Sequence, residues 1–166
     1  MTEAVPPVVS GILPDSHAEE VRTYRGNLPH WRVAGAAYLV TWRLWSHQES
    51  LEGAERAQVV SALLFFQQQR YFLHAYVVMD DHVHVIVQPF DGVRLERIIQ
   101  SWKSFTSKSL IRQSARTAPI WQDEYFDRVI RDEHELLEKI HYVLDNPYPY
   151  RRWGEIAAYE WAGVGN

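Results

Sequence analysis

The sequence predicts an α+β domain built on an antiparallel sheet, and three observations carry that expectation. Four runs of apolar, β-branched and aromatic residues read as strands. Stretches of helical periodicity follow the first and third of these runs, so the order is strand, helix, strand, strand, helix, strand. A third helical stretch comes after the fourth strand.

Composition frames the rest. A chain of 166 residues with 46% hydrophobic content is one globular domain with a real core. Cysteine is absent, which excludes disulfide staples and thiolate chemistry and leaves His, carboxylate or amide groups for any metal. Neither a long uncharged apolar run nor a basic-then-apolar start is present, so the expectation is a cytoplasmic protein without membrane spans. The formal charge of −4 argues at first sight against nucleic acid. Its distribution says otherwise. Four of the 21 acidic residues lie in the first twenty positions, which hold no Lys or Arg, so the remainder carries 17 charges of each sign. Arg97, Lys103, Lys108, Arg112 and Arg116 fall in one stretch without an acid.

Residues 1–24 hold Pro6, Pro7, Gly11 and Pro14 without periodicity and read as a flexible leader. Residues 25–166 form the single domain. Ala36–Trp45 is the first strand, with apolar residues on both faces. Ser50 is a candidate cap for a helix over Leu51–Arg70, whose stripe is Val59, Val60, Leu63, Leu64 and Phe66. Tyr71–Met79 is the second strand. Asp80-Asp81 is turn chemistry, and the third strand starts at His82, so the pair reads as a tight hairpin. After the Phe90-Asp91-Gly92 turn, a helix runs from Arg94 towards Ser114. Leu95, Ile98, Ile99, Trp102 and Phe105 are its buried face, and Lys108, Arg112 and Arg116, spaced by four, are a basic stripe. Thr117-Ala118-Pro119 breaks that helix. Tyr125–Arg131 is the fourth strand. Asp132 caps a third helix that Pro147 stops after Asn146. The order matches the ferredoxin-like split β-α-β sandwich, an antiparallel sheet with two helices on one face, plus an additional C-terminal helix. It puts the third strand in mid-sheet.

Two places in this scheme carry chemistry. Alternation along a strand puts His82 and His84 on one face about 7 Å apart, near enough to converge on one metal ion. An isolated His-x-His is equally compatible with two ordinary strand histidines. In the third helix, Tyr142 lies about 160° from the centre of the apolar stripe Leu136, Leu137, Ile140, Val143 and Leu144, and Asn146 about 120°. Four residues apart, Tyr142 and Asn146 are surface neighbours. Taken alone, such a tyrosine is better explained by simple exposure than by catalysis.

The joint pattern resembles the single-tyrosine HUH transposases, most closely their REP-associated branch in bacteria. The resemblance rests on Asn27-Leu-Pro-His-Trp31, Ala36-Ala-Tyr-Leu-Val-Thr-Trp-Arg43, Val78-Met-Asp-Asp-His-Val-His84, Gln100-Ser-Trp-Lys-Ser-Phe-Thr106, Trp121-Gln-Asp-Glu-Tyr-Phe-Asp-Arg128 with Val129-Ile-Arg-Asp132, and Tyr142-Val-Leu-Asp-Asn-Pro147. It spans nearly everything after residue 24. Two departures stand out: Asp80-Asp81, where the family more often has Pro and an amide or acid, and the low net charge, for which the acidic leader accounts. The resemblance implies that His82, His84 and Asn146 hold a divalent metal, Mg²⁺ or Mn²⁺, although two histidines also accept Zn²⁺. It implies that Tyr142 is the nucleophile and that a 5′-phosphotyrosine forms, leaving a free 3′-OH. The implied substrate is single-stranded DNA with a hairpin near the cut. Lys103, Lys108, Arg112, Arg116, Arg128, Arg131, Arg151 and Arg152 are candidates to track its backbone. Trp31, Trp121 or Trp153 are candidates to stack on bases, with core roles equally open. Two rival functions stand beside this one: a metal nuclease that uses water, and a domesticated hairpin-binding module that does not cut. Monomer and homodimer are both compatible with the sequence.

Overall fold

The computed structural model describes residues 22–24, 30–147 and 159–165. Ten elements run in order: β1 (Arg22–Tyr24), β2 (His30–Arg32), β3 (Tyr38–Arg43), α1 (Gly53–Phe65), β4 (Tyr71–Val78), β5 (His82–Pro89), α2 (Leu95–Ser114), β6 (Phe126–Val129), α3 (Glu133–Asp145) and β7 (Ala162–Gly163). Most of the expected leader lies outside the described residues. Its last three residues, β1, pair antiparallel with β2 as a separate two-stranded ribbon.

The main sheet has the order β6-β3-β5-β4-β7, antiparallel throughout. Its first four strands have the ferredoxin-like arrangement, and β5 sits at the centre. A tight turn at Asp80–Asp81 joins β4 to β5 and is closed by the Met79 amide donating to the His82 carbonyl at 2.8 Å. Alternation then divides the sheet into two faces. Val40 and Trp42 of β3 and Val83, Val85 and Val87 of β5 pack with α1 and α2 in one core. Leu39, Ala75, Val77 and Ile86 pack with Leu136 and Val143 of α3 in a second.

Aromatic residues dominate the first core. Trp102 stacks on Trp42 with ring centroids 5.9 Å apart and meets Tyr71 edge-on at 5.1 Å. Its indole donates to the Tyr71 hydroxyl, which donates to the Leu63 carbonyl. Trp121 is buried in the same cluster, with its indole donating to Thr106 Oγ1. Trp121 is therefore part of the core and has no face open to a base. The side chain of Trp31, and Trp153 altogether, lie outside the described residues.

Two helix boundaries differ from the sequence expectation. The first helix begins at Gly53, with Glu52 as its N-cap and a reciprocal capping box to Glu55. Ser50 is outside it because Leu51 is drawn into the core, its amide donating to the Asp80 carbonyl at 2.6 Å. The same helix stops at Phe65, because Gln68 takes a left-handed φ of 61° and its amide turns to the Tyr71 carbonyl. The predicted cap of α3 is present: Asp132 accepts from the Glu135 amide at 2.8 Å. The C-terminal segment returns to the edge of β4, where the Val78 amide donates to the Trp161 carbonyl and the Gly165 amide to the Leu73 carbonyl. Gly165 is required there, because a Cβ would stand 2.2 Å from the Leu73 oxygen. Among the described residues, no helix is long and apolar enough to cross a membrane.

Candidate functional site

The face of β5 that carries Ile86 into the α3 core carries His84 and His82 beyond the end of that core. Their rings lie 4.7 Å apart between centroids and nearly perpendicular, at 79°. Both are oriented through Nδ1. His82 Nδ1 donates to the Asp81 carboxylate, whose other oxygen accepts from Arg43 Nη1 at 3.1 Å. His84 Nδ1 is 2.6 Å from Thr41 Oγ1, its cross-strand neighbour on β3. Each ring thus has Nδ1 engaged and Nε2 left to serve as a ligand, the arrangement in which outer partners orient metal-binding histidines. His84 is only 6% exposed. Burial, then the positive charge of His82 and Arg43, push it down to about 4 against the opposing pull of Asp81. It is therefore neutral at physiological pH, as a ligand must be. Asp81 resists its own partial burial, because the bond and charge of His82, together with Arg43, hold its carboxyl below the usual range.

Helix α3 brings Tyr142 to the same place. Its ring centroid is 5.6 Å from that of His84, at an interplanar angle of 67°, and the side chain is 49% exposed. The tyrosine that the helical wheel points away from the apolar stripe therefore lies beside the histidine pair with a face open to solvent. Asn146, the C-cap residue, follows one turn later and is half-buried. Among the described residues no group of three His, Cys, Asp or Glu converges on a metal position. Two histidine nitrogens fit a divalent ion when oxygen donors complete the set, and the Asn146 amide is the candidate from this chain.

The basic residues divide between the two sheet faces. Arg128 on β6 shares the histidine face, and its Nη2 donates to Glu135 Oε1 at 2.7 Å. Arg131 also donates to Glu135, from both its amide and Nε. The α2 residues are on the other side, with the helix that covers Val83, Val85 and Val87. Lys103 is tied down there, its Nζ donating to the carbonyls of Gln122 and Asp123 at 2.7 and 2.9 Å. Arg116 departs from the expected stripe altogether. Helix α2 ends at Ser114, Ala115 turns left-handed at φ 53°, and Arg116 folds back onto Glu55 with hydrogen bonds of 2.6 Å. Lys108 and Arg112 remain exposed on α2. Arg151 and Arg152 lie outside the described residues.

Four further residues belong to this neighbourhood. Thr41 and Arg43 reach it by cross-strand register, a long-range relation that no local pattern displays. Phe126 and Lys139 line a cleft of about 250 Å³ with Leu39, Thr41, Arg128 and Tyr142. The i, i+3 spacing of Lys139 and Tyr142 was the available signal for one of them.

Residues 35–145, more than half of the chain, match the model of the IS200-like transposases. The chain belongs to that family. A REP-associated tyrosine transposase solved bound to a REP hairpin superposes with a TM-score of 0.62 at 18% identity, over 74% of this chain and 73% of that one. The chain therefore shares the fold of that protein. An uncharacterised protein of Haemophilus influenzae is 26% identical in an alignment of 105 positions, with 51% of this chain and 57% of that relative's length covered.

Proposed function

We propose that this chain cuts and rejoins single-stranded DNA through a covalent 5′-phosphotyrosine on Tyr142. The observation that carries the reading is the placement of a half-exposed tyrosine ring 5.6 Å from a buried, neutral histidine whose neighbour is a second oriented histidine. Family membership and the likeness to a transposase bound to a REP hairpin support DNA as the substrate, with a folded hairpin near the cut.

A phosphodiester resists attack because its oxygens repel a nucleophile, and a phenol with an ordinary pKa of about 10 is a weak one. His82, His84 and Asn146 would hold Mg²⁺ or Mn²⁺, which supplies positive charge to the scissile phosphate and the attacking oxygen. Asp81 and Thr41 engage the two rings through Nδ1, which would leave the Nε2 lone pairs as the ligating atoms. The Tyr142 oxygen then forms a bond to phosphorus as the bond to the 3′ oxygen breaks. The phenol proton is lost, the departing 3′ oxygen gains one, and the 5′ phosphate stays on the tyrosine. Reversal by another 3′-OH rejoins strands without ATP, because the phosphodiester energy is retained. Arg128 on the site face and the exposed Arg131 would meet the strand. Lys108 and Arg112, exposed on the far face, would contact a hairpin stem. Lys103 and Arg116 are engaged within the fold.

The test is a denaturing gel of labelled hairpin-bearing single-stranded DNA incubated with protein and Mn²⁺ or Mg²⁺. A protein-linked band that is absent from the Tyr142→Phe protein is the expected result. Cleavage without an adduct, unchanged in the mutant, would establish a water-using nuclease. Binding without cleavage under either metal would establish a binding module.

A further inference from the structure

We infer that the cleft beside Tyr142 seats the nucleotide adjoining the scissile phosphate, with Phe126 stacking on its base and Lys139 and Arg128 holding its phosphate. This rests on Tyr142 acting on single-stranded DNA.

The cleft holds about 250 Å³, room for one base rather than a duplex. Leu39 and Thr41 of β3 form its floor, β6 supplies Phe126 and Arg128, and α3 supplies Lys139 and Tyr142. Among the described residues, no carboxylate lines it. Phe126 is 51% exposed, and a lone exposed phenylalanine would need no explanation. Its surroundings make the case. It stands in register with Thr41, which stands in register with His84. Two strand spacings separate Phe126 from the histidine, roughly 10 Å. An open aromatic face thus lies within a nucleotide's reach of the position where phosphate chemistry is expected. Arg128 is two residues along the same strand, on the same face, and is oriented by Glu135. Glu135 is shared between Arg128 and Arg131, so that trio keeps net positive charge. Lys139 is one helical turn before Tyr142 and beside Glu138 at 3.5 Å. A floor of Leu39 and Thr41, an open aromatic wall and two cations match an aromatic base joined to an anion. Stacking of this kind tolerates every base, while the cations fix the backbone.

The experiment uses the Tyr142→Phe protein, which halts turnover, and a hairpin oligonucleotide with thymidine flanks. Each flank position in turn carries 5-iodouracil, a photo-cross-linker to stacked aromatic side chains, and mass spectrometry locates the linked residue. We expect a cross-link at Phe126 from one position or two adjacent ones. Phe126→Ala should weaken binding of the unmodified oligonucleotide about 5- to 150-fold, and Phe126→Tyr should restore it. Lys139→Ala should lower the salt dependence of binding by about 0.7 in log–log slope. Cross-links found only elsewhere, or unchanged affinity in Phe126→Ala, would overturn the assignment. Adduct formation by the unmutated protein, run in parallel, separates the two readings. A Phe126 cross-link without an adduct keeps the cleft and removes the tyrosine chemistry. An adduct without the cross-link does the reverse, and absence of DNA binding removes both.

Discussion

The two faces of one central strand have opposite uses. On one side of β5, Val83, Val85 and Val87 meet Trp42, Trp102 and the rest of a dry aromatic core. On the other, Ile86 meets α3, and two and four residues before it the strand carries His84 and His82 in a polar setting of Asp81, Thr41, Arg43 and Tyr142. Alternation along a strand thus lets one stretch of chain anchor the fold on one face and present histidines on the other. The rigid packing below is what holds the histidines in place above. Substitutions on the packed face should therefore cost stability, and those on the histidine face should cost metal or DNA binding with the fold intact.

The largest stability effect is expected from Trp102→Ala, which removes a stacked indole and its bond to Tyr71. By analogy with other buried aromatic truncations it should cost about 3–5 kcal/mol in urea unfolding. A loss below ~1 kcal/mol would mean that the packed face is not the anchor. Asp81→Ala should change stability little, its side chain being 53% exposed, yet weaken Mn²⁺ binding about 10- to 100-fold by leaving His82 unoriented. A titration followed by electron paramagnetic resonance reads this directly, and equal affinity in the two proteins would contradict the orienting role of Asp81.

A pH series sharpens the packed side. Burial tends to raise Glu55, but its bonds to Arg116 and the Glu52 amide, and the Arg116 charge, hold it below its ordinary 4.5. A depressed folded pKa contributes stability that is fully present above 4.5 and lost as pH falls through the folded value. Urea midpoints of the unmutated protein should therefore decline below pH 4.5, and Glu55→Gln should flatten that decline while lowering stability at neutral pH. An identical pH profile in the two proteins would contradict the role of this pair. The smallest effect is expected from Lys108→Ala with Arg112→Ala. If α2 meets a hairpin stem, the log–log salt slope of binding should fall by about 0.9 for each duplex phosphate that is no longer neutralised. An unchanged slope would confine DNA to the histidine face.

Much of this contrast was legible in the sequence, for local reasons. His82 and His84 share a face because alternation requires it, and Tyr142 leaves the apolar stripe because 3.6-residue periodicity requires it. Asp132 announces its helix by chemistry that acts over three residues. The relations that were not legible are long-range. Thr41 reaches His84 only through the β3–β5 register, and Phe126 joins the same row only through β6. The role of Asp81, an oddity of the turn in sequence, depends on Arg43 arriving from another strand. Arg116 misled for a different reason. Spacing by four marks a stripe only while the helix lasts, and the left-handed Ala115 ends that condition one residue earlier.

The central claim is that α3 delivers the nucleophile to the histidine face. The most direct test is to digest the protein after reaction with labelled hairpin DNA and Mn²⁺, and to sequence the nucleotide-bearing peptide by mass spectrometry. The account predicts a single phosphodiester modification, on Tyr142, within the peptide that follows Lys139. A modification on Tyr148 or Tyr150 of the same peptide, or cleaved DNA with no modified peptide, would contradict it.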